Sequence, residues 1–233
     1  MKIIADLHIH TVYSDGSRTP EEIVDMALKK KLKAIAISDH DSLGGIKRAT
    51  SYAGDKLKII PAIEMSSEHE KKDLHILGYY VDYKNPTLQG MLDDFARIRR
   101  ERGRLIADKL TKNGYVISDD EVAETAGDGV VGRLHLAQIL CRKGYARNIG
   151  DAFEKFLGEH TQYYVPKYKL TPAEAFKMIR DTGGIPVWAH PGCSDFDDFL
   201  EEFVRDGLMG LEVYHPRHTK TQIANYLSLC KTH

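Results

Sequence analysis

Six short apolar runs punctuate the chain, at Lys2–Leu7, Lys33–Ser38, Lys58–Ile63, Leu74–Val81, Ile185–Ala189 and Met209–Tyr214. Most are separated by stretches whose apolar positions recur at helical spacing. Strand-length runs alternating with amphipathic helices predict parallel βα units. Two helix starts use the same device. Thr19-Pro20-Glu21-Glu22 and Thr171-Pro172-Ala173-Glu174 each set threonine at the N-cap, proline at the first helical position and glutamate at the third. That arrangement satisfies otherwise orphaned backbone N–H groups and tolerates the missing proline N–H. The second of these helices should turn Phe176 and Ile179 toward the sheet.

Between Pro86 and Gly158 the rhythm changes to consecutive helical segments. This predicts an inserted helical subdomain, 86–158, within a barrel formed by 1–85 and 159–233. Its first helix, Thr87 to Lys112, carries Leu88, Leu92, Phe95, Ile98, Leu105 and Ile106 at helical spacing and stops at Asn113-Gly114. Ser118-Asp119-Asp120-Glu121 reads as the capping box of a second helix. The charged run Arg97 to Arg104 reads as a solvated helix face.

At 233 residues the chain suffices for one α/β domain of barrel size, or a smaller domain with an insertion. A net charge of −1 provides no general basic field, so neither an extended nucleic-acid surface nor a membrane surface is expected as a partner. Any anionic substrate must be attracted locally. The three cysteines, Cys141, Cys193 and Cys230, lack zinc-like pairing and read as buried thiols of a reducing compartment. The first apolar run is too short for a signal peptide, and no run approaches membrane-spanning length. A cytoplasmic location is expected.

Histidine changes the picture, with 11 residues, several at predicted strand ends. His8 and His10 are two apart on the first strand, so they share a face. Asp15 follows in the loop Ser14-Asp15-Gly16. Asp39-His40-Asp41 follows the second run, Glu64 ends the third, His75 lies early in the fourth, and His190 ends the fifth. Chemistry in barrel folds gathers at the C-terminal ends of strands, where loops vary above a rigid core. Imidazoles and carboxylates without thiolates suit manganese, zinc or iron. Two or three such cations could clamp phosphoryl oxygens and activate a water, which points to phosphate ester hydrolysis.

Taken in order, His8-Ile9-His10, Ser14-Asp15-Gly16, Ser38-Asp39-His40-Asp41, Glu64, His75 and Ala189-His190-Pro191 resemble the motifs of the polymerase and histidinol phosphatase (PHP) superfamily. The Glu64 to His75 spacing, the helical insertion and Gly132-Arg133-Leu134-His135 resemble most the branch of nucleoside 3′,5′-bisphosphate phosphatases and RNA 5′-exonucleases. That resemblance implies an α/β fold, a distorted TIM-like (βα)7 barrel. It also implies a cluster of two or three divalent ions, commonly manganese, with zinc or iron as alternatives. The implied metal ligands are His8, His10, Asp15, His40, Glu64, His75 and His190, with Glu64 bridging and Asp39, His40 and Glu64 catalytic. Arg133, His135 and His215 would bind a small phosphorylated nucleotide or a short RNA end. His69, His160, His218 and His233 remain as surface residues. Six strands are one fewer than the family barrel, whose closing Asp-x-His motif follows the seventh. A fragment, or a last strand supplied by another segment, is therefore expected, with two ligands absent. The competing functions are a histidinol-phosphate phosphatase, a catalytically impaired binding or regulatory module, and a polymerase-associated proofreading domain.

Overall fold

The computed structural model describes residues 4–232 except 128, 167–169 and 195; His233 and the start of the Lys2–Leu7 run lie outside them. Six strands form one sheet in sequence order: β1 (Ala5–Ile9), β2 (Ala34–Ile37), β3 (Lys58–His69), β4 (Lys72–Tyr79), β5 (Ile185–Trp188) and β6 (Gly210–Leu211). Strands β1, β2 and β3 are parallel and joined through α1 (Pro20–Lys29) and α2 (Gly44–Ala53). Both threonine capping boxes form, on α1 and on α7 (Pro172–Asp181). Phe176 and Ile179 are fully buried, in one core with Met65, Ile76 and Trp188.

The fourth strand corrects the expectation of parallel units throughout. β3 and β4 form an antiparallel hairpin in which His69 pairs with Lys72, and β4 is also antiparallel to β5. The two turn residues, Glu70 and Lys71, have φ of 47° and 65°, the left-handed geometry of a tight hairpin. The turn lacks the Asn-Gly or Asp-Gly signature that announces such geometry in a sequence. Glu64 also does not end its strand, because β3 runs five residues further, to His69.

Between Pro86 and Leu157 the described elements are helical: α3 (Pro86–Lys112), α4 (Asp119–Ala126), α5 (Arg133–Arg142) and α6 (Ile149–Ala152), the last continuing as a wider turn over Phe153–Leu157. Helix α3 serves two cores. Leu88 and Leu92 pack with the sheet core, whereas Ile106 and Leu110 join Val122, Leu136, Leu140 and Phe156 in a separate one. Leu105, expected in the apolar stripe, is exposed. Helices α8 (Leu200–Asp206) and α9 (Lys220–Thr232) complete the described chain. Among the described residues no helix is long and apolar enough to cross a membrane. The expectation of buried thiols is not met: all three cysteines are free, Cys193 and Cys230 are exposed, and Cys141 is half-buried.

Candidate metal centre

The sheet curls so that side chains from its two ends meet. His8 on β1 places Nδ1 3.0 Å from Oε1 of Glu212, which directly follows β6. The curl encloses Glu64, whose side chain is 1% exposed. Five imidazoles face this one carboxylate. His8 Nε2, His10 Nε2 and His40 Nδ1 lie 3.1, 3.0 and 3.3 Å from Oε2, while His75 Nδ1 and His190 Nε2 each lie 3.1 Å from Oε1. Asp15 joins from the β1–α1 loop, with Oδ1 3.2 Å from His10 Nδ1 and Oδ2 3.9 Å from His40 Nε2. The hairpin explains His75. Because β4 runs against β3, its early residues lie at the sheet end where β3 carries Ser66, the partner of His75.

Local backbone aims these groups. The β1–β2 register slips between Asp6 and Ile9, an irregularity of the kind that re-aims side chains beside active sites. Asp41 and His190 have φ of 48° and 33°, a left-handed conformation costly for residues with a Cβ and concentrated at functional sites. The turn at His190 directs its N–H to Oε2 of Glu212, at 2.6 Å.

Sequence reasoning missed Glu212. One carboxylate holds both His8 and the backbone of His190, as outer partners of metal-binding histidines do. Its signal was available, because Glu212 is the one charged residue inside the sixth apolar run, Met209–Tyr214.

The donor set fits divalent cations. With ligand bonds of about 2.0–2.2 Å, neighbouring donors on one ion stand about 3–3.5 Å apart, the spacing found around Glu64. Burial drives the His40 pKa down to about 4, reinforced by His75 and His10. Its Nδ1 is buried without a hydrogen-bond partner, as a nitrogen awaiting a metal ion would be. Burial works against charge on His8, yet Glu212 and Glu64 hold its pKa near 10. Burial likewise opposes ionisation of Glu64, but His40, His10, His190 and His75 outweigh it and keep the carboxyl well below its usual range. Without metal, protons on imidazoles supply part of the positive charge that cations would bring.

Asp39, expected among the catalytic groups, sits beneath the ring. Oδ1 accepts from Thr11 N and Ser14 Oγ, both at 2.6 Å, and Oδ2 accepts from Thr11 Oγ1 at 2.7 Å. It anchors the loop carrying Asp15. His135, expected to bind substrate, is also engaged by the protein: Nδ1 accepts from Gly132 N at 3.1 Å, and the ring is buried. His215 stands at the rim, its ring centroid 5.4 Å from that of His190. His218 is buried between Val213 O and Gly192 N, and His69 packs edge-on against Phe196, Phe199 and Phe203. Neither is the surface residue expected; His160 is exposed.

The run Arg97 to Arg104 divides in two. Arg97 and Arg104 are exposed and pair with neighbours on their own helix. Arg99 turns inward to Asp41 and Ser66, and Arg102 donates Nε to Val165 O at 2.7 Å. Arg133, at the start of α5, stands beside Arg102. The guanidinium centres lie 5.6 Å (Arg102) and 6.0 Å (Arg133) from the Tyr164 ring. Burial, Arg133 and Arg99 together lower the Arg102 pKa to about 10. Arg99, Arg102 and Ile106 continue the inward stripe of Leu88, Leu92 and Phe95, a periodicity that could have revealed them.

Comparison with known proteins agrees with this geometry. The model of the PHP domain matches residues 6–115, from β1 through α3. The 5′-3′ exoribonuclease Rnm of Salmonella typhimurium is 36% identical over 83% of this chain and 67% of its own. The chain belongs to the PHP family of phosphoesterases. A second PHP relative, the 3′,5′-nucleoside bisphosphate phosphatase of Chromobacterium violaceum, is 29% identical over 92% of this chain and 78% of its own. The crystal structure of a candidate metal-dependent phosphoesterase from Bifidobacterium adolescentis superimposes with a TM-score of 0.88 at 28% identity, covering 98% of this chain and 83% of its own. The chain spans about two thirds of the length of the exoribonucleases it matches.

Proposed function

We propose that this PHP protein hydrolyses a phosphate monoester of a nucleotide-like substrate, either a nucleoside 3′,5′-bisphosphate or the 5′ end of a short RNA. The observation that carries the reading is the single buried carboxylate, Glu64, flanked by imidazoles on both oxygens. In this reading His8, His10, Asp15, His40, Glu64, His75 and His190 hold two or three divalent ions. Glu64, central to these donors, would neutralise the mutual repulsion of the ions, while Glu212 fixes the ring of His8 and the backbone of His190. Manganese is favoured, with zinc or iron compatible with the same donors. The bound ions supply an activated water and charge stabilisation at the phosphoryl oxygens.

Residues outside the ring set the substrate class. Segment 86–158 acts as an insertion over the barrel, presenting Arg133 and Arg102 side by side. Adjacent guanidiniums repel, and an anion between them relieves the repulsion while receiving a bidentate fork from each. They would hold the phosphate that is not cleaved, and His215 would contact the substrate at the rim. The names of the exoribonuclease and bisphosphate phosphatase relatives support such a substrate. The free cysteines fit a cytoplasmic setting.

The test is phosphate release by the full-length protein, stripped of metal and then resupplied. Its panel holds nucleoside monophosphates, 3′,5′-bisphosphates, histidinol phosphate and 5′-phosphorylated oligonucleotides. Metal-dependent turnover should be highest on bisphosphates or oligonucleotides. Preference for histidinol phosphate, or turnover that survives chelation, would overturn the reading.

A further inference from the structure

His40 stands between two buried carboxylates, and each is anchored to a different part of the molecule. Asp39 bonds to Thr11 and Ser14 in the loop after β1. Asp41, 4% exposed, turns instead toward β3 and the helical segment. Its Oδ1 accepts from Ser66 N at 2.8 Å, and its Oδ2 accepts from Nη2 of Arg99 on α3. The same Nη2 also donates to Ser66 Oγ at 2.9 Å. One guanidinium thus joins α3 both to β3 and to the loop after β2.

These contacts reach the metal ring through the backbone. Asp41 N donates to Glu64 O at 3.0 Å and Glu64 N donates to Asp39 O at 3.2 Å, so His40 and Glu64 pair in parallel beyond the end of β2. Ser66 is the ladder partner of His75. Asp41 itself keeps a φ of 48°, a conformation that persists only where the surroundings over-determine it. The ion-pair partners of the His40 imidazole, Asp15 and Glu64, are themselves members of the metal ring. The aim of His40 therefore depends on the backbone that Asp39 and Asp41 hold. Taking the cation away from a carboxylate as buried as Asp41 leaves an uncompensated charge, and the strained loop beside it is where the structure would give.

From this geometry we propose that Arg99 is a positioning residue: acting from the helical segment, it neutralises Asp41, holds the loop that aims His40, and so sets the affinity of the metal ring for the ions that His40 binds. The proposal rests on the metal reading above. His40 belongs to two groups of converging donors, one with His10 and Asp15 and one with Glu64 and His75, whereas His8, His10 and Glu64 form a group without it. Loss of Arg99 should therefore divide the metal sites rather than weaken all of them.

The experiment is calorimetric titration of the metal-free full-length protein with Mn²⁺, for the wild type, Arg99→Met, Asp41→Asn and the double variant. Arg99→Met should weaken one class of site by about 10–100-fold, the range for outer partners of metal ligands, and leave another class unchanged. Arg99→Lys, which keeps a cation beside Asp41, should recover most of that affinity. The double variant should bind better than Arg99→Met alone, because no carboxylate is then left buried without its cation. Should Arg99→Met fail to fold, Arg99→Gln keeps a donor while removing the charge and should divide the sites in the same way. Uniform weakening of all sites, losses that add in the double variant, or Mn²⁺ affinity indifferent to Arg99 would overturn the proposal while leaving the metal reading intact. In the last case a raised KM for a bisphosphate would make Arg99 a substrate contact instead. A wild type that binds no metal would overturn both.

Discussion

The metal ring and the arginine pair both gather like-charged or like-polar groups, but in opposite ways. The ring packs five imidazoles around a central carboxylate that balances them. The arginine pair sets Arg102 and Arg133 over one aromatic face, with Asp73 3.8 Å from Arg133. The ring meets its counter-charge at the buried Glu64, whereas the arginines have one partly exposed carboxylate, Asp73, beside two guanidiniums. The comparison teaches where each change should be felt. Damage to the ring should remove metal and with it all turnover, whereas damage to the arginines should affect only substrates bearing a second phosphate.

The largest effect is expected at the centre of the ring. Glu64→Gln removes the charge that all five imidazoles face, and turnover should fall by more than about 100-fold, beyond the loss typical of outer partners. Metal content measured by elemental analysis should fall with it. Full occupancy in this variant would contradict the bridging role.

One shell outward, Glu212→Gln keeps the shape but weakens the hold on His8 and His190. Metal affinity should drop about 10–100-fold, with KM for a bisphosphate unchanged at saturating metal. A change in KM alone would move Glu212 to the substrate side of the comparison.

Protons should compete with metal at the ring and leave the arginines untouched. His8, with its pKa raised to about 10 by Glu212 and Glu64, holds a proton in the metal-free form at neutral pH, and the His10 pKa is raised in the same direction by Glu64 and Asp15. Binding must release the His8 proton, so affinity rises with pH, by up to about tenfold per pH unit for each proton displaced. Titrations between pH 6 and 8 in buffers of different ionisation enthalpy count these protons. Affinity that falls with rising pH over this range would reverse the assigned charge states.

The smallest effect belongs to the arginine pair. Arg133→Ala should raise KM for a bisphosphorylated substrate about tenfold, near the lower end of a hydrogen bond to a charged group at about 1.5 kcal/mol. A simple monophosphate should be affected little. Equal effects on both substrates would return Arg133 to a structural part, held by Leu157 O and the Phe153 ring.

The fold class, the helix starts and most of the ring were legible because they obey local rules. Strand-length apolar runs, threonine caps and ionisable residues at run ends each depend on a few neighbouring residues. His8 and His10 share a face through the two-residue period of a strand, whatever the rest of the chain does. The hairpin was not legible, since Glu70-Lys71 adopts left-handed geometry without the residues that favour it. Only that reversal brings His75, early in its run, to the same end of the sheet as His190. Glu212 required the curl that carries β6 around to β1, and Arg102 became a neighbour of Arg133 only when α3 packed against α5. His135 has the composition of a ligand, yet its Nδ1 caps the start of its own helix and the ring is buried there. The sequence by itself determined which chemical groups were available and at which strand ends. The tertiary structure decided which of them face one another, because spacing along a chain sets the side of an element a residue occupies but not the element it meets.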